Sequence, residues 1–248
     1  MRPNLTYLTT DPPVWLAVFF SLTTALTVWY VVRAVRQAAP ALTTPVLVGT
    51  LIWLTGLGLL AKANFFTALH HVPPRLLMAL APTLIAIVGL FMTKGGRRFM
   101  DALPLSTLTY WNVVRVPVEL VIYGLFVHHQ MPEVMTFAGR NFDILAGLSA
   151  PLVAYVAFGR PVLPTRGLLL WHLIALGLLL NIVTLAILSA PLSMQRLAFD
   201  QPNVAVLKFP FVWLPGFIVP VVLLGHLTAL RRLSTPTSSP ALARPADR

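Results

Sequence analysis

The stretch Leu105–Val127, LSTLTYWNVVRVPVELVIYGLFV, decides the fold, because it is long and apolar enough to cross a bilayer yet carries two opposite charges. A helix rises ~1.5 Å per residue, so about 20 residues span the hydrocarbon. Arg115 and Glu119 lie near the middle of the stretch, where an ionised group costs roughly 2.5–3.5 kcal/mol on insertion scales. Such groups persist where other helices or a wet cavity shelter them. The stretch therefore predicts a sheltered span within a larger helical bundle.

The composition of the 248-residue chain also indicates a membrane protein with several spans. Hydrophobic residues make up 57% and charged residues 10% of the chain, whereas soluble domains carry about 25% charged residues. The net charge of +11 comes from short basic runs between apolar stretches, which is typical of orientation signals and argues against a nucleic-acid partner. The chain has no cysteine, which excludes disulfides, thiolate metal sites and cysteine nucleophiles. Neither a cofactor nor a catalytic residue is indicated.

Apolar runs separated by charged or proline-containing loops predict an all-α polytopic fold. Residues 1–233 would form a domain of seven transmembrane helices, and residues 234–248 a disordered cytoplasmic tail. The first run is too long for a signal-peptide core and is followed by arginines rather than a cleavage site. Several prolines should bend or unwind the last span. The predicted spans are Val14–Val32, Leu42–Ala61, Leu76–Met92, Leu105–Val127, Phe142–Phe158, Leu168–Leu188 and Phe211–Leu230.

The basic residues predict the orientation of these seven spans. Of the eighteen lysines and arginines, Arg115 lies inside a span, six lie on one side and eleven on the other. The positive-inside rule makes the second side cytoplasmic, which places the N-terminus outside and the C-terminus inside. The long loops and most acidic residues then lie outside, so the outer face is the expected functional face. The eleven residues are Arg33, Arg36, Lys94, Arg97, Arg98, Arg160, Arg166, Arg231, Arg232, Arg244 and Arg248.

One face of the fourth span concentrates polar side chains that could form a binding site. Asn112, Arg115 and Glu119 are spaced i, i+3 and i+7, and Tyr123 extends the same face by a turn. One interpretation is a site near mid-membrane for a substrate, an ion or a proton. The other is a structural pair, in which Arg115 and Glu119 satisfy each other at i, i+4.

Two loops contribute further candidate ligand-binding residues. In MTFAGRNFD, Asn141 is a plausible N-cap and Asp143 suits the first helical turn, while the alternative makes Arg140 and Asp143 rim groups for a ligand. In FDQPN, Asp200 belongs to a polar turn, which becomes functionally interesting if this loop folds over the fourth span.

The histidines do not predict a metal site. Zinc needs three or four converging ligands, and the two adjacent pairs, His70–His71 and His128–His129, do not point in one direction on a helix. His172 fits a hydrogen-bonded core residue. Asn181 lies nine positions further on and hence on the opposite face, so one polar path through both is not expected.

Three segments carry a resemblance to a known group of proteins. They are FMTKGGRRFMDALPLSTLTYWNVVRVPVEL, MTFAGRNFDILAGL and AFDQPNVAVLKFPFVWLPGFIVP. Together they resemble an uncharacterised family of bacterial multi-span membrane proteins, over the region from about Pro73 to Leu233. The resemblance implies an integral protein of the bacterial inner membrane, surrounded by the lipid bilayer, and it carries over no catalytic residue.

The sequence leaves three functional hypotheses. The leading one is an outward-opening polar pocket that binds a small molecule or ion for transport, in which Arg115 holds an anionic group or pairs with Glu119, and Glu119 takes up a proton. Asn112 and Tyr123 would orient the ligand. The second is a membrane-embedded enzyme that acts on a lipid or isoprenoid, and the third is a structural or accessory subunit.

Overall fold

A computed structural model describes residues 2–234, and within this range the chain is helical with no β-strand. Ser234, predicted as the first residue of the tail, is the last residue of a helix, and the rest of that predicted tail lies outside the described residues. The α-helices are α1 (Val14–Ala38), α2 (Thr43–Lys62), α3 (Leu77–Met92), α4 (Lys94–Ala102), α5 (Leu105–Tyr110), α6 (Arg115–Val127), α7 (Ile144–Ala154), α8 (Thr165–Ser189) and α9 (Val219–Ser234).

Five helical stretches between residues 2 and 234 are long and apolar enough to cross a membrane. They are α1, α2 with its preceding 3₁₀ turn, the continuous stretch from α5 to α6, α8, and α9 with its preceding π turn. A sixth is obtained if α3 and α4 count as one span, although the two meet at 94°. The π turn after α7 extends it to Gly159, which still leaves it shorter than the other spans. The all-helical fold is therefore confirmed for the described residues, which contain five or six candidate membrane spans.

The stretch Leu105–Val127 forms the central helix of the bundle, and 56% of its most apolar 18-residue segment is buried. A 3₁₀ turn, Trp111–Val114, separates α5 from α6. Pro117 removes the backbone donor that would bond to Val113 in a regular α-helix, and the tighter 3₁₀ turn lies directly before it. Leu108 and Leu125 are fully buried at either end of the stretch. The buried span predicted from the sequence is therefore present, with a break just before Arg115.

The proline-rich entry to the last span is locally unwound, as the sequence predicts. A π turn covers Leu214–Ile218 before α9 begins. Pro220 has no N–H to offer the carbonyl of Gly216 four residues earlier. The indole Nε1 of Trp53 on α2 donates to this carbonyl at 2.9 Å instead. The freed backbone acceptor is thus satisfied by a neighbouring helix, as an apolar environment requires.

The segment KGGRR, which lies between two of the predicted spans, is helical rather than a loop. It opens α4, and the hydroxyl of Thr93 caps the helix by accepting from the backbone N–H of Gly96 at 3.1 Å. Met100, on the same helix, is fully buried. Capping and the burial of one apolar side chain stabilise a helix that the two glycines disfavour.

Contacts gather the connecting segments at two ends of the bundle. One end, termed here the basic end, carries Arg231 near the end of α9, which donates to Asp101 of α4 at 2.8 Å. At the same end, Thr107 of α5 lies 3.2 Å from Gln37 of α1. At the opposite loop end, the ammonium of Lys208 donates to the carbonyls of residues 7 and 10 and to Gln130 at 2.5 to 2.7 Å. Burial lowers the pKa of Lys208 to about 8, an effect that Asp11 partly opposes. The N-terminal segment is thereby held against the loop before α9.

Residues 128–143, termed here the re-entrant segment, turn back along α6. Asp143 contacts Arg115, which precedes the end of α6 by twelve residues, or roughly 18 Å of helix. Non-helical backbone at this depth needs protein partners, and Met135, Thr136 and Asn141 are indeed buried. The fifth predicted span, Phe142–Phe158, thus begins as α7 halfway along the bundle.

Candidate functional site

Arg115 and Asp143 form a buried ion pair in the centre of the bundle. The guanidinium Nε donates to Oδ2 of Asp143 at 2.6 Å and Nη2 donates to Oδ1, so the pair is bidentate. Both residues are at most 4% exposed. The expected pairing of Arg115 with Glu119 is not formed, and Glu119 belongs to no ion pair within residues 2–234. A carboxylate approaching from another helix matches the planar fork of the guanidinium, which gives a stronger contact than the i, i+4 arrangement.

Arg115 uses its donors entirely on protein groups. Besides the two bonds to Asp143, Nη2 donates to the carbonyl of Ala175 at 3.0 Å. Nη1 donates to Oδ1 of Asn112 at 3.4 Å and lies 3.2 Å from Nε2 of His226. A guanidinium has five N–H donors and no acceptor, and these contacts account for all five. None is left for the anionic ligand group expected from the sequence.

Two buried histidines continue this cluster from Arg115 toward the basic end. Because Arg115 only donates, Nε2 of His226 must accept, which places the ring proton on Nδ1. That proton is donated across 3.0 Å to Nδ1 of His172, whose Nε2 then donates to the hydroxyl of Thr109 at 3.2 Å. Thr109 donates in turn to the carbonyl of Leu105 at 2.9 Å. Both rings are therefore neutral, and each tautomer follows from its neighbours.

Two glycines bring the surrounding helices close enough to make these contacts. A side chain at Gly147 of α7 would place its Cβ 2.9 Å from the backbone nitrogen of Val116. A side chain at Gly225 of α9 would place its Cβ 2.5 Å from the indole nitrogen of Trp111. Neither space admits a methyl group unless the neighbouring atoms move, which are partly backbone at Gly147 and the Trp111 side chain at Gly225. Close packing at these two points therefore sets the distances at which α7 and α9 present their polar groups to Arg115.

Glu119 has a much poorer set of partners than Asp143, although it is 1% exposed. Nδ2 of Asn141 lies 2.7 Å from both carboxylate oxygens and 2.9 Å from the carbonyl of Met135. An amide nitrogen has two hydrogens, so one serves Met135 and one is shared by the carboxylate. The amide orientation follows from its oxygen, which accepts from the backbone N–H of Asp143 at 3.0 Å. The nitrogen of Asn141 therefore positions Glu119, while its oxygen holds the turn that leads into α7, whose N-cap residue is Asp143 rather than Asn141.

A cavity of about 230 Å³ lies beside Glu119. Its walls come from α3, α6, α8, the π turn before α9 and the loop that follows α8. They are apolar except for Arg115, Glu119, Asp143 and Asn203, so the polar pocket expected from the sequence is mainly an apolar one. For comparison, a cavity of roughly 150 Å³ accommodates benzene.

The cavity reaches the surface of the bundle between α3 and α8. These helices both line it and both pack on α9, yet they make hardly any contact with each other. Among its lining residues, Leu77, Ile187 and Met194 are 40 to 43% exposed. The rim of the opening is therefore apolar, and its exposed residues lie where α3 begins and α8 ends, near the loop end of the bundle.

Four residues predicted for the site do not line this cavity, and one of them, Asn112, is fully buried and accepts a hydrogen bond from Arg115. Tyr123 is 38% exposed and stacks on Phe137 with ring centroids 4.9 Å apart. Arg140 and Asp200 are exposed and line a separate open cleft of about 550 Å³ at the loop end. The loop that carries Asp200 does fold over the end of the fourth span, because Gln201 donates to two carbonyls there at 2.6 and 2.9 Å.

The histidines at the loop end take part in ordinary packing. His129 stacks on Tyr7 with centroids 5.1 Å apart, and His71 lies 2.6 Å from a guanidinium nitrogen of Arg75. No group of three or more His, Asp or Glu residues within residues 2–234 is arranged to hold a metal ion.

Sequence reasoning did not single out His226 and Asn203. His226 is a polar residue inside an apolar run, and this is the only signal that it belongs to a buried network. Asn203 was interpreted as part of a turn, whereas it lines the cavity, and its Oδ1 is buried without a hydrogen-bond partner. His172 is correctly placed in the core, and Asn181 on its opposite face donates to the carbonyl of Arg140 at 2.9 Å.

Comparison of the chain with models of known protein families, with curated proteins and with solved structures yields no match. The site must therefore be interpreted from its own geometry.

Proposed function

We propose that this protein binds a small, mainly apolar molecule within the bilayer, as the binding step of transport. The observation that carries the proposal is the cavity of about 230 Å³, whose apolar walls end at buried ionisable groups of the central helix. Pockets with apolar walls and a few oriented polar groups are the usual form of small-molecule sites. The Arg115–Asp143 ion pair holds α6 and the start of α7 together. Glu119 lines the cavity beside this pair.

Transport, as opposed to binding alone, is supported by the broken elements around the cavity. The re-entrant segment ends at the level of Arg115, and the last span is unwound over Leu214–Ile218 beside the same cavity. Interrupted helices of this kind recur at mid-membrane sites of transporters, where they allow one group of helices to move against another.

The membrane topology is part of the proposal. Counting α3 and α7 as spans would give seven crossings, with the N-terminus outside, the C-terminus inside and the basic end in the cytoplasm of a bacterial cell. Single cysteines can test this because the chain has none. An impermeant maleimide applied to intact spheroplasts should label Thr9→Cys and not Gly95→Cys. Labelling of Gly95→Cys alone would reverse the orientation.

Binding can be tested by filling the cavity. Ala186 lines it, whereas Ala86 is exposed on the outside of α3. In lipid nanodiscs, saturation-transfer NMR should detect 2-phenylethanol on the parent protein and on Ala86→Phe, and the signal should be lost in Ala186→Phe. Equal signals from the two variants would show that the probe binds elsewhere, and the proposal would then be wrong.

Transport also requires that the accessibility of the cavity from one side of the membrane changes when a ligand binds. In proteoliposomes, a single Ala186→Cys should change its labelling rate from one side of the membrane when 2-phenylethanol is added. Binding without any such change would support the alternative of an accessory or sensing subunit.

A further inference from the structure

We propose that the natural ligand of the cavity is a lipophilic amine, bound in its ammonium form with Glu119 as its counter-ion. This inference rests on the proposed binding function and specifies the chemistry of the ligand. It follows from counting the donors and acceptors that the cavity wall offers.

The wall offers no free cation. Arg115 is the only cation among the lining residues, and its five N–H groups are occupied by Asp143, Ala175, Asn112 and His226. The amide nitrogen of Asn203 is neutral, and one of its two N–H groups donates to the carbonyl of Ala186 at 3.4 Å. An anionic ligand would therefore enter an apolar space without a group to compensate its charge, which is strongly unfavourable.

The wall does offer acceptors that the protein leaves unfilled. A carboxylate can accept about four hydrogen bonds, and Glu119 receives a single N–H, that of Asn141. The charge of Asp143 is balanced by Arg115, but Glu119 has no cationic partner within residues 2–234. An ammonium group supplies both the missing charge and up to three N–H donors.

Asn203 gives an independent indication of the same chemistry. Its side chain is fully buried, lines the cavity, and has an Oδ1 without any partner. Because Nδ2 faces a carbonyl, which can only accept, the free atom is the amide oxygen and not the nitrogen. A buried carbonyl oxygen without a donor is unfavourable, and a donor on the ligand would satisfy it.

The apolar walls and the opening of the cavity determine the chemistry of the ligand outside its amine group. Its walls are apolar, and its opening between α3 and α8 has an apolar rim that includes Leu77 and Ile187. A lipophilic molecule near the loop end of the bundle can reach the cavity through this rim. The ligand class is therefore an amine with a small apolar body, such as an aryl-alkyl amine.

The experiment compares three probes that share a phenyl ring on a short alkyl chain and differ in charge. They are 2-phenylethylamine, 2-phenylethanol and phenylacetate, titrated at pH 7 onto the full chain in nanodiscs by calorimetry. The amine should bind about tenfold or more tightly than the alcohol, because hydrogen bonds to a charged group are stronger than neutral ones. Phenylacetate should bind most weakly.

Glu119→Gln should remove the preference for the amine over the alcohol. Glu133→Gln, which changes an exposed acid in the separate cleft, is the matched control and should keep the preference. Tighter binding of phenylacetate, or an amine preference that survives in Glu119→Gln, would overturn the inference while leaving the binding function intact. If none of the three probes binds, the proposed function itself is wrong. The ranking of the probes on the parent protein remains decisive even if Glu119→Gln does not fold.

Discussion

Asp143 and Glu119 are two buried acids on neighbouring segments of the same interior, yet their surroundings differ completely. Asp143 receives two N–H bonds from Arg115 and pairs with its charge. Glu119 lines the same cavity as Asp143 but receives only one N–H, from the neutral Asn141. A buried carboxylate with a full set of partners holds a structure together, whereas one with unfilled acceptors is available to a ligand or a proton. The comparison separates a structural half of the site from a binding half.

The largest effect is expected at the structural half. Asp143→Asn leaves the guanidinium of Arg115 buried without a counter-charge, which should lower the free energy of unfolding by about 3–5 kcal/mol. Unfolding in mixed micelles measures the change. Asp101→Asn is the matched control, because Asp101 forms a similar pair with Arg231 where the side chains are 31 to 48% exposed, and it should cost at most about 1 kcal/mol. Equal losses in the two variants would contradict the structural role of the buried pair.

An intermediate effect is expected where α9 packs on the central helix. Gly225→Ala places a methyl group against the indole of Trp111, and overpacking of this kind costs about 1–3 kcal/mol. The resulting displacement of α9 should also move His226, the next residue in the chain, away from Arg115. Gly177→Ala on α8 has open space around its Cβ and should leave stability unchanged or raise it. The measurement is again the free energy of unfolding, and similar values for both variants would show that α9 tolerates displacement.

The smallest effect on stability is expected at the binding half. Glu119→Gln keeps an oxygen for Asn141 and removes an uncompensated buried carboxylate, so the free energy of unfolding should change by less than about 1 kcal/mol or rise. A loss as large as that of Asp143→Asn would place Glu119 in the structural half, and the distinction drawn between the two acids would fail.

Much of the helical architecture could be predicted from the sequence because apolar length is a local property. The buried fourth span, the unwound last span and the helical fold all follow from runs of residues that are close in the chain. The helix at KGGRR was missed, because its capping and its packing outweigh the low propensity of two glycines. The re-entrant segment was also missed, because its non-helical backbone is satisfied by contacts that apolar length does not reveal.

The candidate site was predicted in part. Arg115, Glu119 and Asp143 do meet at the cavity, since charges inside apolar runs must be sheltered somewhere. Their partners could not be predicted, because spacing along one helix favoured Glu119 for Arg115 while the structure supplies Asp143 from α7. Arg140, Asp200 and Tyr123 lie elsewhere, because polarity near a loop does not reveal which cavity a side chain faces.

The sequence by itself determined that the chain is a helical, multi-span protein with charges that need shelter, because hydrophobicity and burial cost depend on residue type alone. The tertiary structure alone decided which acid is paired and which is left with open acceptors. That outcome depends on how closely α7 and α9 approach the central helix at Gly147 and Gly225, a distance set by packing among segments far apart in the chain.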